Sequence, residues 1–364
     1  MRILVLNAGS SSIKLRLLDA NDVVVRSLDL GTEGLKERRA LEDAVGASEI
    51  GAVGHRVVHG GRLFSGAAII TDEVRKQIAS LEELAPLHQA PSLAGITRAQ
   101  QAFPALPHVA CFDTAFHSNL PAAASTYAVP LKWRERFGVR RYGFHGLSHA
   151  YASRRAAEMI GESLDSLRIV TCHLGAGASL AAVAGGRSVD TTMGLTPLEG
   201  LVMATRSGSI GPSVPLWLQA HAGLTPDQVQ EALERDSGLT GLAGTADMRE
   251  VLERASNGDV EAALARDVYV HALRAGIARM AASMQGVDAV VFTGGVGEHS
   301  SETRALAATG LEFLGMGLDE PHNRQVSGDA DISGAGASVR TLVVQAREDL
   351  QMAREIRGLL HDGG

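Results

Sequence analysis

Residues 3 to 14, ILVLNAGSSSIK, place an apolar run directly before a small, hydroxyl-rich turn with a lysine behind it. Ile3, Leu4, Val5 and Leu6 suit a strand covered on both faces, and Asn7 and Gly9 end it. Ser10, Ser11 and Ser12 add hydroxyls and exposed amides, and Lys14 adds a point charge, the groups that bend a backbone around a nucleotide phosphate. Phosphoryl chemistry is therefore the first expectation. The alternative is an ordinary hairpin turn, because Ile13, Leu15 and Leu17 alternate with Lys14 and Arg16 as a second strand would.

Two familiar phosphate loops are excluded. None of the four lysines (Lys14, Lys36, Lys76, Lys132) follows a glycine, so G-x-x-x-x-G-K occurs nowhere. Gly175-Ala176-Gly177 and Gly295-Val296-Gly297 reach Leu180 and Ser300 where a dinucleotide fingerprint needs its third glycine.

At 364 residues the chain is long for one core, so two domains are expected, with a cleft between them as the natural active site. A net charge of −7 without a Lys/Arg-rich segment argues against a nucleic-acid partner. Cys111 and Cys172 each end an apolar run without C-x-x-C or His-rich company, which reads as two buried thiols in a reducing compartment. No apolar stretch approaches membrane-spanning length, and the expectation is a soluble, cytoplasmic protein.

Strand-like runs (Ala52 to Val58, Val109 to Phe112, Ile169 to Cys172, Ala289 to Phe292, Thr341 to Val344) alternate with helical stretches (Thr71 to Leu84, Ser148 to Ile160, Pro226 to Arg235, Asp259 to Ser283). That alternation predicts an α/β fold with a largely parallel sheet in each domain. Arg2 to Gly9 also superimposes on Arg168 to Gly175, strand on strand and glycine on glycine, so each half opens alike. Two such turns could grip the two ends of one polyphosphate.

Ten segments carry a more specific signal: LNAGSSSIK (6–14), GHRVVHGG (54–61), APLH (85–88), FDTAFH (112–117), YGFHGLSH (142–149), HLGAGAS (173–179), DTTMGLTPLEGLVMATRSG (190–208), DMRE (247–250), FTGGVGEH (292–299) and REDLQMAREI (347–356). In this order the chain resembles the acetokinase family from end to end. The resemblance implies two duplicated ribonuclease H-like domains of the actin and sugar-kinase type, 1–114 plus 350–364 and 115–349. It implies a homodimer, and Mg2+-dependent (or Mn2+-dependent) interconversion of ATP and acetate with ADP and acetyl phosphate.

By the same resemblance Arg56 binds the acid, in a pocket formed by Val58, Leu87, Phe144 and Pro197, while Asp113, His145 and Arg206 are catalytic. The nucleotide falls to Ser10, Ser12, Lys14, His173, Leu174, Gly175, Ala176, Gly177, Asp247, Met248, Arg249, Gly295, Val296, Gly297, Glu298 and His299, and the metal to Asn7 and Glu348. Acetate is ionised at neutral pH and offers no proton to a base, so an orienting role or one in the metal shell suits Asp113 better than proton abstraction. Asp247 reads equally as a helix cap with Glu250 completing a box-like pattern. His88, His117 and His149 read as hydrogen-bonded structural groups.

The chain departs from the family pattern at four places. HLGAG stands for HLGNG, placing Ala176 beside the phosphates. RSGSIGP stands for RSGDIDP, with Ser209 and Gly211 in place of carboxylates. His299 replaces an asparagine, and the stretch between Lys14 and His55 is short. These changes keep open a propionate or butyrate kinase, a different phosphoryl donor, and a non-catalytic nucleotide-binding protein.

Overall fold

In a computed structural model, residues 1–8, 12–31, 46, 49–82 and 86–361 are described, without the side chains of 8, 12, 30, 31 and 86–88. The chain divides into two compact units, Met1–Asn119 with Phe144–Tyr151 and Arg347–Gly364, and Leu120–Gly143 with Ala152–Ala346. This division runs a few residues from the expected boundaries and gives 144–151 to the first unit.

The first unit is built on six strands, β1 (Ile3–Ala8), β2 (Ser12–Leu18), β3 (Val24–Gly31), β4 (Ala52–Val57), β5 (Ala68–Ile69) and β6 (His108–Phe112), ordered β3-β2-β1-β4-β6-β5. Strands β1, β4 and β6 are parallel, and β2, β3 and β5 join antiparallel. Alternation along β1 sends Leu4 and Leu6 to one face with Ala99 and Ala102 of the helix Pro86–Ala102. It sends Ile3 and Val5 to the other face with Met352, Ala353 and Ile356 of the helix Glu348–His361. Both faces are covered, which is why residues 3–6 of β1 are an unbroken apolar run.

The second unit repeats the pattern with β7 (Arg168–Leu174), β8 (Ala178–Ala184), β9 (Arg187–Thr191), β10 (Ala289–Thr293), β11 (Ala330–Asp331) and β12 (Arg340–Val343), ordered β11-β12-β10-β7-β8-β9. Replacing β1 to β6 by β7, β8, β9, β10, β11 and β12 in turn converts one order into the other, the ribonuclease H-like arrangement twice over. The aligned Arg2 and Arg168 segments thus form the equivalent strands β1 and β7. The expectation of largely parallel sheets is corrected: each sheet is mixed. Three residues separate β7 from β8, enough for a hairpin but far short of a parallel crossover. The alternative reading of 13–17 as the second strand of a hairpin matches β1 paired with β2.

Helix Pro226–Arg235 starts with a complete capping box: Gln228 N donates to Thr225 Oγ1 at 3.2 Å, and Thr225 N donates to Gln228 Oε1 at 2.9 Å. Cys111 and Cys172 are buried free thiols.

Two of the buried imidazoles in the first unit, His55 and His117, make its stability pH-dependent. His108 Nε2 lies 3.1 Å from Phe103 O, so it donates there and its Nδ1 accepts from His55 Nε2 at 3.0 Å. Burial and the neighbouring His108 push His55 down to about 3. Burial pushes His117 down to about 4 against its bond to Phe144 O. Both folded values lie below the unfolded value near 6.5, so the stabilisation is complete above pH 6.5 and fades as pH falls from there towards 4. Each group is expected to cost about 1.4 kcal/mol per pH unit in that window. Denaturant titrations at stepped pH check this, with His117→Asn removing one such increment from the slope.

Candidate active site

Parallel strands end side by side, and residues just past their carboxyl ends share an edge. In the first unit that edge brings together Asn7 of β1, Arg56 of β4, Asp113 beyond β6, and Glu348 at the first turn of the C-terminal helix. Arg56 Nε donates to both Asp113 oxygens at 3.0 and 3.1 Å, and Nη2 donates to Oδ2 at 2.6 Å, a bidentate clamp. Nη1 donates to Asn7 Oδ1 at 3.2 Å and lies 3.6 Å from Glu348 Oε2. Asn7 Nδ2 donates to the same Glu348 oxygen at 3.1 Å.

Asp113 is only 1% exposed. Burial pushes its carboxyl above the ordinary range, against the downward pull of the Arg56 guanidinium. Burial alone would lower Arg56, but the charges of Asp113 and Glu348 more than offset it and raise the guanidinium above its ordinary value, so it is a permanent cation.

His145 adjoins this group. Its φ of +56° is left-handed, a conformation a non-glycine residue keeps only when its surroundings enforce it. The enforcement is visible next door: Gly146 N donates to Asp113 O at 2.8 Å, and His149 N donates to His145 O at 3.0 Å. A Cβ on Gly146 would stand 2.3 Å from Asp113 O and 2.9 Å from Phe116 Cβ. Gly146→Ala is therefore expected to cost about 1–3 kcal/mol in urea unfolding and to lower kcat by shifting His145 against Asp113.

Val58 and Phe144 are buried in this unit, with Phe144 edge-on to His59 at 5.3 Å between ring centres. Leu87 lies in the helix Pro86–Ala102, its side chain outside the description, and Pro197 belongs to the second unit. Ser10 lies outside the described residues, Ser12 is placed by its backbone in β2, and Lys14 is exposed on β2.

The second unit holds a cavity of about 840 Å³. Gly175 and Ala176 of the β7–β8 turn line it, with Asp247, Met248, Arg249, Gly295, Val296 and His299. Five further candidates are absent from this lining. Leu174 and Gly297 are buried, His173 is the penultimate residue of β7, Gly177 O accepts from Gly175 N at 2.9 Å, and Glu298 Oε1 accepts from Gly294 N and Ala346 N, each at 2.9 Å.

Asp247 caps the helix Met248–Ser256 by accepting from Arg249 N at 2.9 Å. The box-like pattern with Glu250 does not form, because Thr245 Oγ1 donates to Glu250 Oε2 at 2.7 Å. The Arg249 guanidinium holds the Asp247 carboxyl down at about 2. The lining also includes Leu239, Leu252 and Tyr269, apolar-bodied residues on helices that carry no chemical signal in the sequence.

Arg206 Nη1 donates to Pro197 O at 2.8 Å. Burial lowers its guanidinium, opposed by Glu234, and among the described residues it forms no ion pair. Nearby, Ser209 Oγ accepts from Gly200 N at 3.1 Å, while a Cβ on Gly211 would meet only ordinary contacts near 4 Å.

The family model for the acetokinase family matches residues 36–354. The acetate kinase of Carboxydothermus hydrogenoformans is 43% identical, with 98% of each chain covered. Among solved structures, Porphyromonas gingivalis acetate kinase superimposes with a TM-score of 0.91 at 35% identity, covering 99% of both chains. A propionate kinase from Francisella tularensis gives 0.88 at 34% identity, covering 97% of this chain and 98% of its own. On the family match over residues 36–354 and a relative 43% identical along nearly the whole chain, the chain belongs to the acetokinase family.

Proposed function

We propose that the protein is an acetate kinase, transferring the γ-phosphoryl group of ATP reversibly to acetate. The observation that carries this reading is the clamp of Arg56 by Asp113 beside Asn7 and Glu348, four residues from distant parts of the sequence. Carboxylate and polyphosphate are both anionic, so the reaction needs fixed cations and dry surroundings more than a base. Arg56 binds the acid. Asp113 grips its Nε and Nη2 edge, which fixes the plane of the fork and gives Asp113 an orienting role. Arg206 and His145 donate to the oxygens of the transferring group. The 840 Å³ cavity takes the nucleotide.

Among the described residues no group of three or more His, Cys, Asp and Glu side chains could enclose a metal. Asn7 and Glu348 meet through Asn7 Nδ2, which donates to Glu348 Oε2, while Asn7 Oδ1 accepts from Arg56; these two oxygen-bearing side chains would hold a hard cation that draws the rest of its shell from water and phosphate. When bound there, Mg2+ would neutralise polyphosphate charge.

Val58, Leu87, Phe144 and Pro197 select the acyl group, each methylene accepted or refused being worth about 1–3 kcal/mol. The likeness to a propionate kinase makes propionate the natural second substrate. Exposed Leu216 and Trp217 on the helix Ser213–Ala222 support a homodimer. Among the described residues no helix is long and apolar enough to cross a membrane.

Hydroxylamine trapping with ATP and Mg2+ tests the reading. Acyl hydroxamate should form with acetate, less with propionate and least with butyrate in kcat/KM. Folded protein giving none with any short acid would leave the nucleotide-binding alternative.

A further inference from the structure

Arg304, on the helix Ser301–Ala308, is 1% exposed, yet it forms no ion pair among the described residues. A buried guanidinium is costly unless its donors are met. Nη1 donates to Gly297 O and Glu298 O, both at 2.8 Å, Nε to Asn323 Oδ1 at 2.8 Å, and Nη2 to Asn323 O at 2.7 Å. All four acceptors are neutral. Burial lowers the guanidinium to about 10, so it stays charged at neutral pH.

The carbonyls it holds lie in the last turn of the helix Gly294–His299, whose Gly295, Val296 and His299 form one wall of the cavity. Asn323 completes a ring, its Nδ2 donating to Ser301 O at 2.9 Å. From the opposite side, Glu298 Oε1 ties Gly294 N to Ala346 N. The wall is therefore pinned at both ends by charged side chains turned away from the cavity.

We infer that Arg304, with Asn323 and Glu298, is a positioning group for nucleotide binding, fixing the 294–299 wall in its binding shape before the nucleotide arrives. The inference rests on the cavity being the nucleotide site. Preorganisation of this kind is realised as affinity.

The test compares Arg304→Met, Arg304→Lys, Asn323→Ala and Gly295→Leu for Tm, ADP binding by calorimetry, and KM and kcat. Arg304→Met should raise the ADP Kd and the KM for ATP about tenfold or more, with acetate KM and saturated kcat nearly unchanged. Arg304→Lys, which keeps the charge but loses the fork, should fall between it and the parent. A purely structural role would instead lower Tm and the active fraction while leaving Kd and KM alone, and that outcome overturns the inference. If Arg304→Met fails to fold, Asn323→Ala carries the same expectation and can fail in the same way. Gly295 has open space at its Cβ position, so Gly295→Leu should obstruct the cavity directly. Normal ADP binding by Gly295→Leu would overturn the cavity assignment, and the inference with it. Obstruction by Gly295→Leu with unaltered binding in Arg304→Met would overturn the inference alone.

Discussion

Arg56→Ala is expected to cost about 3–5 kcal/mol of stability at neutral pH, because it strands the nearly inaccessible Asp113 carboxylate without its counter-charge. It should also lower kcat/KM for acetate about a hundredfold, the scale of a lost charge-assisted hydrogen bond. The pH dependence identifies the cause. Burial already raises the Asp113 carboxyl, and removing Arg56 removes the opposing pull, so its folded value climbs further above the unfolded one. A carboxyl that binds its proton more tightly when folded favours the folded state as pH falls, and the deficit of Arg56→Ala should shrink on acidification. Urea titrations at pH 7.5 and pH 5.5 check this, and Arg56→Ala combined with Asp113→Asn should recover part of the loss. A deficit that stays constant with pH would show that no stranded charge is involved.

Arg206→Ala is expected to separate catalysis from folding. Its one described side-chain bond goes to Pro197 O, so stability should change by about 1 kcal/mol or less. If the guanidinium meets charge developing on the transferring group, kcat should fall about 10²- to 10³-fold, with the KM values for acetate and ATP far less affected. Arg206→Lys should recover only part, because an ammonium cannot present a planar fork. Steady-state kinetics over both substrates decide it: a loss confined to KM would make Arg206 a binding residue.

The strand ends were legible in the sequence. The apolar run 3–6 and the run 109–112 each stop at a polar residue, and Asn7 and Asp113 occupy those stops. Arg56, between two histidines in a glycine-ended run, proved to be the bridge between them. Pairing direction was less legible. Ala178 to Ala184 is apolar apart from Ser179 because both faces are covered, and only the three-residue gap before it marks a hairpin. Glu298 shows a second limit. It sits in a glycine-rich motif that points to nucleotide, yet backbone amides take its carboxylate. Buried arginines are the hardest to foresee: Arg141, which donates to Thr192 O and Met193 O and pairs with Glu199, resembles any surface cation until the tertiary packing closes over it.

The first unit recruits Arg347–Gly364 to a sheet begun by Ile3, and Asn7 meets Glu348 across a separation of 341 residues. On the ribosome, therefore, the opening strands wait for almost all of the chain to be made before Met352, Ala353 and Ile356 can cover them. Contacts of such long range close slowly and leave apolar surface open meanwhile. Interrupted translation shortly before residue 347 would yield a product with an intact second unit, a naked β-sheet face in the first and an unfinished site, a natural client for chaperones and proteases.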